Sequence, residues 1–93
     1  MLISKDEINK SISKKGWEYS NKKIVKSFDF NNFKEKIIFI NKILEVCDIL
    51  NHHPEINIEY SNLTISIYSI DFKGITTKCI NLALKIDSIY NTN

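Results

Sequence analysis

The chain has 93 residues, a formal net charge of +2 and 43% hydrophobic residues, an ordinary composition for one globular domain. All 13 basic residues are lysines. The composition therefore argues against a nucleic-acid-binding protein, which would rely on arginine for bidentate contacts. No apolar run reaches the length of a signal peptide or of a transmembrane helix. We expect a single domain over residues 1–93, located in the cytoplasm and not bound to a membrane.

A helix and a hairpin are predicted at the start of the chain. Ser4 and Glu7 have the spacing of a capping box that begins a helix, and Gly16 is placed to end it. Apolar and polar residues then alternate from Trp17 to Phe28, which is typical of two strands. Asn21 lies between these strands and predicts the turn of the hairpin.

A long second helix is predicted to begin at Asn31 or Asn32 and to run to about Asn51. Its apolar residues follow helical spacing in two stripes. One stripe contains Phe33, Ile37, Ile40, Leu44 and Cys47, and the other contains Phe39, Ile43, Val46 and Leu50. We expect one stripe to cover a sheet, while the second widens the core face or meets another subunit.

A second hairpin and a last helix complete the pattern. Pro54 ends the second helix, because the residue before a proline disfavours the helical conformation. Alternation over residues 56–60 and 63–68, with a turn at 61–62, predicts two more strands. Thr76 is a suitable cap for the last helix. The order helix, two strands, helix, two strands, helix predicts an α+β fold, a four-stranded antiparallel sheet with helices packed on one face.

The adjacent histidines His52 and His53 are the unusual feature of this sequence. Histidines near a helix end are often surface or capping residues, but a neutral imidazole there can also act as an acid, a base or a binding group. Zinc is disfavoured, because the spacing of these histidines and of Cys47 and Cys79 matches no structural zinc pattern. A cysteine nucleophile would need a third, orienting group, and both cysteines lie on apolar helical faces. We expect Cys47 to be buried and inert.

The spacing around these histidines resembles the pterin-4a-carbinolamine dehydratase family. The resemblance rests on an acidic residue followed after three spacers by His-His-Pro, then an aromatic residue, and later a Gly-Ile-Thr turn and an Asn-Leu-Ala stretch in the last helix. In this sequence these are Asp48, His52, His53, Pro54, Tyr60, Gly74–Thr76 and Asn81–Ala83. Gly16-Trp17 and the phenylalanines at 28, 30 and 33 are also similar to the family, so the resemblance covers roughly residues 4–89.

The resemblance implies dehydration of 4a-hydroxytetrahydrobiopterin to a quinonoid dihydropterin in tetrahydropterin recycling, without a metal or an organic cofactor. The chemistry needs a base for the N5 proton and an acid for the departing hydroxyl. Carried over from the family, His52 is one acid–base residue and His53 a substrate-binding residue. Asp48 lies one helical turn before His52 and is expected to orient that imidazole. Pro54 and Tyr60 are carried over as substrate-binding residues.

This sequence departs from the family pattern at two positions. The family's third histidine, also an acid–base residue, falls on Ile70 within Ser69-Ile70-Asp71, a segment expected to bind substrate. By strand alternation Ile70 shares a face with Tyr68, a weak candidate as substitute acid, while Asp71 points to the other face. Asp71 could replace the histidine only if the strand end is re-aimed. The family's aspartate in the last helix falls on Cys79, a poor substitute for capping or supporting the site.

Two functions therefore remain open. One is a dehydratase that uses His52 and His53 with activity weakened by Ile70 and Cys79. The alternative is a catalytically impaired pterin-binding protein, or an oligomeric scaffold or coactivator-like protein, on the same fold. The family forms tetramers, so the resemblance also implies a homodimer or homotetramer, as the small core and the second apolar stripe do.

Overall fold

A computed structural model describes residues 2–92 of the chain. Over these residues the chain forms helices and strands in the predicted order, with a short 3₁₀ turn at Ser13–Lys15. The helices are α1 (Lys5–Ile12), α2 (Phe33–Leu50) and α3 (Thr77–Asn91). The strands are β1 (Glu18–Ser20), β2 (Lys23–Asp29), β3 (Glu55–Ile58) and β4 (Asn62–Ile67). None of the helices within residues 2–92 is long and apolar enough to cross a bilayer.

The strands form one antiparallel sheet in the order β1-β2-β4-β3. Leu63, Ile65 and Ile67 of β4 are completely buried, whereas the residues between them are only partly buried. This alternation shows that one face of the sheet packs against the helices and that the other face is more open. The predicted α+β fold is confirmed.

The helix caps and the first turn follow the predicted residues. Ser4, Asn32 and Thr76 each accept a hydrogen bond from a backbone N–H in the first turn of the helix that follows. Asn21 has a positive φ of 55°, as a tight hairpin turn requires. The α-helix α1 ends at Ile12, and the 3₁₀ turn continues the chain to Lys15. Gly16, with a φ of 93°, ends this turn.

The turn between β3 and β4 is longer than predicted. Tyr60 lies outside β3, and the connection is closed by a hydrogen bond from the backbone N–H of Glu59 to the carbonyl of Asn62, at 3.0 Å. Lys36 of α2 is buried beneath this turn and donates from Nζ to the carbonyls of Glu59 and Tyr60. The apolar stem of Lys36 is buried while its ammonium group reaches these carbonyls.

The two apolar stripes of α2 differ in burial. Phe39, Ile43 and Cys47 are fully buried against the sheet, whereas Phe33 and Leu44 of the other stripe are exposed. Cys47 therefore belongs to the core side of the helix rather than to the stripe in which spacing placed it. Ile40 of that stripe packs against the core, so only its exposed residues, such as Phe33 and Leu44, are available for a partner.

A buried carboxylate joins the two ends of the chain. Asp87 of α3 accepts a hydrogen bond from Nε1 of Trp17 at 2.9 Å and one from Nζ of Lys26 at 2.7 Å. Lys26 also donates to the carbonyl of Lys15 at 2.6 Å. Because Asp87 is only 7% exposed, its charge is stabilised by these two partners rather than by water.

The N-terminal segment crosses the connection between β4 and α3. Leu2 forms a β-bridge with Thr76, and the backbone N–H of Ile3 donates to the carbonyl of Ile75 at 2.9 Å. Within the connection, Ser69 and Gly74 form a second antiparallel bridge. These backbone contacts fix the loop that leads from the sheet to the start of α3.

We predict that Asp87→Ala lowers the free energy of unfolding by about 3 kcal/mol, because it leaves the Lys26 ammonium and the Trp17 N–H without their acceptor. Urea unfolding at a fixed protein concentration measures this change. Glu18→Ala, which removes an exposed carboxylate from β1, is the control and should change the unfolding free energy by less than about 0.5 kcal/mol. Equal effects of the two variants would contradict the prediction.

Candidate functional site

The end of α2 sets the positions of both histidines. Asn51 adopts the left-handed conformation with a φ of 51°, and its backbone N–H donates to carbonyls of the last turn. The backbone N–H of His52 then donates to the carbonyl of Cys47 at 3.0 Å. This pairing is typical of a helix C-terminus closed by a left-handed residue. The reversal directs His52 and His53 away from the helix axis toward different cavities.

His52 lies in a cavity of about 300 Å³ between the end of α2, the β4–α3 connection and the first turn of α3. Its walls are mostly polar. They are formed by Asn51, His52, Ser69, Asp71, Phe72, Thr76, Thr77 and Lys78. A half-buried imidazole among hydroxyl, carboxylate and ammonium groups is a suitable arrangement for proton transfer to a small polar ligand.

His53 lies in a second cavity, of about 130 Å³, on the open face of the sheet. The residues around this cavity are Lys23, His53, Glu55, Ser66, Tyr68 and Ile70. Nε2 of His53 lies 3.0 Å from Oδ1 of Asp48, and both side chains are more than half exposed. The prediction that Asp48 orients His52 is wrong in this structure, because the reversal at Asn51 places His53 rather than His52 beside the carboxylate.

The environment of His52 favours its neutral form. Burial lowers the pKa of His52, because the imidazolium loses solvation, and the neighbouring Lys78 and His53 lower it further. Lys78 is held nearby, since its Nζ donates to the carbonyl of Asn51 at 3.5 Å. A neutral imidazole near pH 7 can accept a proton at once, as a general base must.

The segment Ser69–Asp71 divides between the two cavities. Ile70 is 80% exposed and lines the His53 cavity with Tyr68, which confirms the face predicted for it by strand alternation. Ser69 and Asp71 line the His52 cavity. The turn between the bridged residues Ser69 and Gly74 therefore brings the carboxylate of Asp71, and not the side chain at position 70, to the same cavity as His52.

The predicted substrate-binding residue Tyr60 lies away from both histidines. It is fully exposed at the far end of β3 and lines a separate cavity with Phe30, Phe33 and Lys36. Five residues separate Tyr60 from Pro54, and an extended chain of that length places the two ends well apart. Within this chain, the structure therefore does not bring Tyr60 to the site. Pro54 is half-buried between His53 and the start of β3.

The two cysteines have different surroundings. Cys47 is buried in the core, and burial together with the charge of Asp48 raises the pKa of its thiol to about 11. This agrees with the prediction of a buried cysteine. Cys79 is also fully buried, but its Sγ lies 3.3 Å from Nε2 of His52. Cys79 therefore contacts the His52 ring directly, at the position where the family pattern has an aspartate.

Sequence reasoning missed the residues that surround His52 from α3. From the sequence, Thr76 was identified as a helix cap and as part of the family-like turn, and Lys78 was assigned no role, although both line the cavity. The signal that could have found them is their position in the first turn of a helix packed against the His-His-Pro segment. Within residues 2–92, no group of three or more His, Cys, Asp or Glu is arranged to hold a metal ion.

Comparison with known proteins identifies the family of this sequence and agrees with this fold. The sequence matches the family described as pterin 4 alpha carbinolamine dehydratase over residues 1–89. Curated relatives carry the same name provisionally. A protein of Sulfurisphaera tokodaii is 36% identical over 94% of this chain and 95% of its own, and one of Sulfolobus acidocaldarius is 33% identical over 96% and 99%.

Solved structures show the same architecture. A transcriptional coactivator/pterin dehydratase from Brucella melitensis superposes with a TM-score of 0.90 at 24% identity, covering 97% of this chain and 99% of its own. A pterin dehydratase-like protein identified as a RuBisCO assembly factor in the alpha-carboxysome superposes with a TM-score of 0.65 at 15% identity, covering 80% and 86%. With a family match that covers nearly the whole sequence, the chain belongs to the pterin 4 alpha carbinolamine dehydratase family.

Proposed function

We propose that the protein dehydrates 4a-hydroxytetrahydrobiopterin to quinonoid dihydropterin in tetrahydropterin recycling. The observation that carries this proposal is His52, a half-buried imidazole in a polar cavity at the end of α2, in a chain of this family. The substrate carries many hydrogen-bond donors and acceptors. Ser69, Asp71 and Thr76 offer complementary groups around the imidazole.

One imidazole can carry both proton transfers of this reaction. The base removes the proton from N5, and the electron pair of that bond forms the double bond between N5 and C4a. The C4a–oxygen bond breaks, and the departing hydroxyl takes one proton to leave as water. The proton lost by N5 balances the proton gained by the hydroxyl, so His52 can accept the first and return it in the second step.

The lowered pKa of His52 suits this shuttle, because the neutral ring accepts the proton and the imidazolium readily gives it up. Asp71 is the second group that we propose in this cavity. Its carboxylate can hold the substrate or take part in the transfer from N5. The absence of a histidine at position 70 is expected to cost about 10²–10⁴-fold in rate relative to a site with two histidines.

We assign His53 to substrate binding from the second cavity, with Asp48 holding its imidazole through the 3.0 Å contact. No organic cofactor or metal is needed for this dehydration. Both cysteines are free thiols, in keeping with a reducing compartment such as the cytoplasm, where we place the reaction.

A second candidate function is pterin binding or assembly without turnover. Ile70 favours it, because an isoleucine cannot transfer a proton and its side chain is 80% exposed beside His53. The solved structures that share this fold include a transcriptional coactivator/pterin dehydratase and a RuBisCO assembly factor. Affinity for a pterin without acceleration of dehydration would support this alternative.

We also propose that the protein is a homodimer or homotetramer. Phe33 and Leu44 on the exposed stripe of α2 are 62% and 43% exposed, and Ile58 on the edge strand β3 is 48% exposed. An unpaired strand edge beside apolar residues is a surface that a second copy can cover. The helix stripe and the sheet edge would then be the contacts between subunits.

The first test follows the decay of freshly generated 4a-hydroxytetrahydrobiopterin with and without the protein. We expect the protein to accelerate the decay and His52→Ala to remove that acceleration, because it removes the proton shuttle. His53→Ala is the matched control and should mainly raise KM, since His53 is assigned to binding. Acceleration that survives in His52→Ala would exclude His52 as the catalyst.

The second test uses the pH dependence of the rate. A base works in its neutral form, so the rate should fall as the pH drops through the lowered pKa of His52. Lys78→Ala removes a positive charge near the ring, raises the pKa of His52 and moves this acidic limb to higher pH. Lys85→Ala removes an exposed charge later in the same helix and should leave the profile unchanged. If the acidic limb stays at the same pH in Lys78→Ala, the limb does not report the titration of His52.

The third test addresses assembly. Light scattering should give a mass of at least twice 10.9 kDa, and Ile58→Glu should reduce it, because a charge cannot be buried at the strand edge without a partner. Ser11→Glu adds the same charge to α1, which contacts α3 and β1 at the other side of the sheet, and should leave the mass unchanged. A monomeric mass for the unaltered protein would refute the proposed oligomer.

A further inference from the structure

The thiol of Cys79 lies where it can control the orientation of the His52 ring. It is completely buried in the first turn of α3, and its Sγ is 3.3 Å from Nε2 of His52. Hydrogen bonds to sulfur are longer than those to oxygen or nitrogen, so this distance is a direct contact. The contact joins the two helix ends that form the walls of the His52 cavity.

Thr76 fixes the sulfur from the other side. Its Oγ1 accepts a hydrogen bond from the backbone N–H of Cys79 at 3.4 Å, as a helix cap does. The hydroxyl proton of Thr76 is then free to point at the sulfur, and its oxygen lies 3.5 Å from Sγ. Sγ thus lies between a hydroxyl donor and the imidazole, which restricts where the ring can turn.

The contact decides which nitrogen of His52 can meet a ligand. Nε2 contacts the sulfur, so Nδ1 is the ring nitrogen that remains for a ligand. The thiol of Cys79 is a weak acceptor and a weak donor, whereas an imidazole N–H is a stronger donor than a thiol S–H. The arrangement in which Nε2–H donates to Sγ therefore uses the better donor and leaves the lone pair of Nδ1 free.

We propose that Cys79 is a positioning residue that holds His52 in the Nε2–H tautomer and presents Nδ1 as the base. This inference rests on the proposed dehydratase function, for which it names the working nitrogen. Cys79 itself does not touch the substrate, because it is fully buried behind the imidazole.

The choice of a thiol also has an electrostatic consequence. The charged and titratable groups around His52 are Lys78 from α3, His53 beside it in the chain and Asp71 across the cavity. A carboxylate at position 79 would stabilise the imidazolium, whereas a thiol orients the ring without bringing that charge. Cys79→Asp should therefore raise the pKa of His52 and move the acidic limb of the rate profile to higher pH.

The direct test reads the tautomer by NMR, using the ¹⁵N shifts and long-range couplings of the His52 ring at a pH where it is neutral. We expect the Nε2–H tautomer in the unaltered protein and a mixture of tautomers in Cys79→Ala. Cys47→Ala is the matched control, because it removes the other buried thiol, which lies in the core. An Nδ1–H tautomer in the unaltered protein, or an unchanged tautomer in Cys79→Ala, would overturn the proposal.

Kinetics supply the second readout. Cys79→Ala should slow dehydration by roughly tenfold to a hundredfold, the usual cost of a misplaced catalytic group. Cys79→Ser, which keeps a small donor and acceptor group at this position, should recover most of the rate. It also replaces Cys79→Ala if that variant does not fold. Equal rates for Cys79→Ala and the unaltered protein would contradict a positioning role.

The two proposals can fail separately. If the unaltered protein does not accelerate dehydration, the dehydratase proposal fails, while the NMR spectrum still decides whether Cys79 sets the tautomer of His52. If dehydration is accelerated but the tautomer does not depend on Cys79, the function stands and the positioning role is rejected.

Discussion

Two backbone hydrogen bonds at the end of α2 determine where the two adjacent histidines lie. Asn51 takes the left-handed conformation, and the N–H groups of Asn51 and His52 satisfy carbonyls that the last helical turn would otherwise leave unpaired. Pro54 then prevents the chain from returning to a helix. With the backbone fixed in this way, the two imidazoles cannot exchange places, and each meets a different cavity.

The different partners of the two histidines follow from this geometry. His53 is partnered by an exposed carboxylate, Asp48, whereas His52 is partnered by a buried sulfur, Cys79. Burial and neighbouring positive charge keep His52 neutral, so it is ready to accept a proton. Under the proposed function, a single ring that both accepts and returns the proton would complete the dehydration without a histidine at position 70.

Much of the fold was predictable because local signals and the hydrophobic pattern agree along the chain. The caps at Ser4, Asn32 and Thr76, the turn at Asn21 and the alternation in β4 all act over a few residues, and each was found where it was predicted. The site was less predictable, because its contacts join distant segments. Helical spacing paired Asp48 with His52, but that spacing does not continue beyond the left-handed residue Asn51. The contact between His52 and Cys79 crosses 27 positions and has no local signal.

The hydrogen bonds between the beginning and the end of the chain affect the order in which the protein can fold during synthesis. The backbone N–H of Ile3 is hydrogen-bonded to the carbonyl of Ile75, and the indole N–H of Trp17 is hydrogen-bonded to Asp87, 70 positions later. The N-terminus leaves the ribosome first, so residues 2–3 and the indole of Trp17 emerge long before their hydrogen-bond partners. The β4–α3 connection and the first turn of α3, which wall the His52 cavity, can be secured only when synthesis is nearly complete. Until then the nascent chain carries both histidines but no enclosed site.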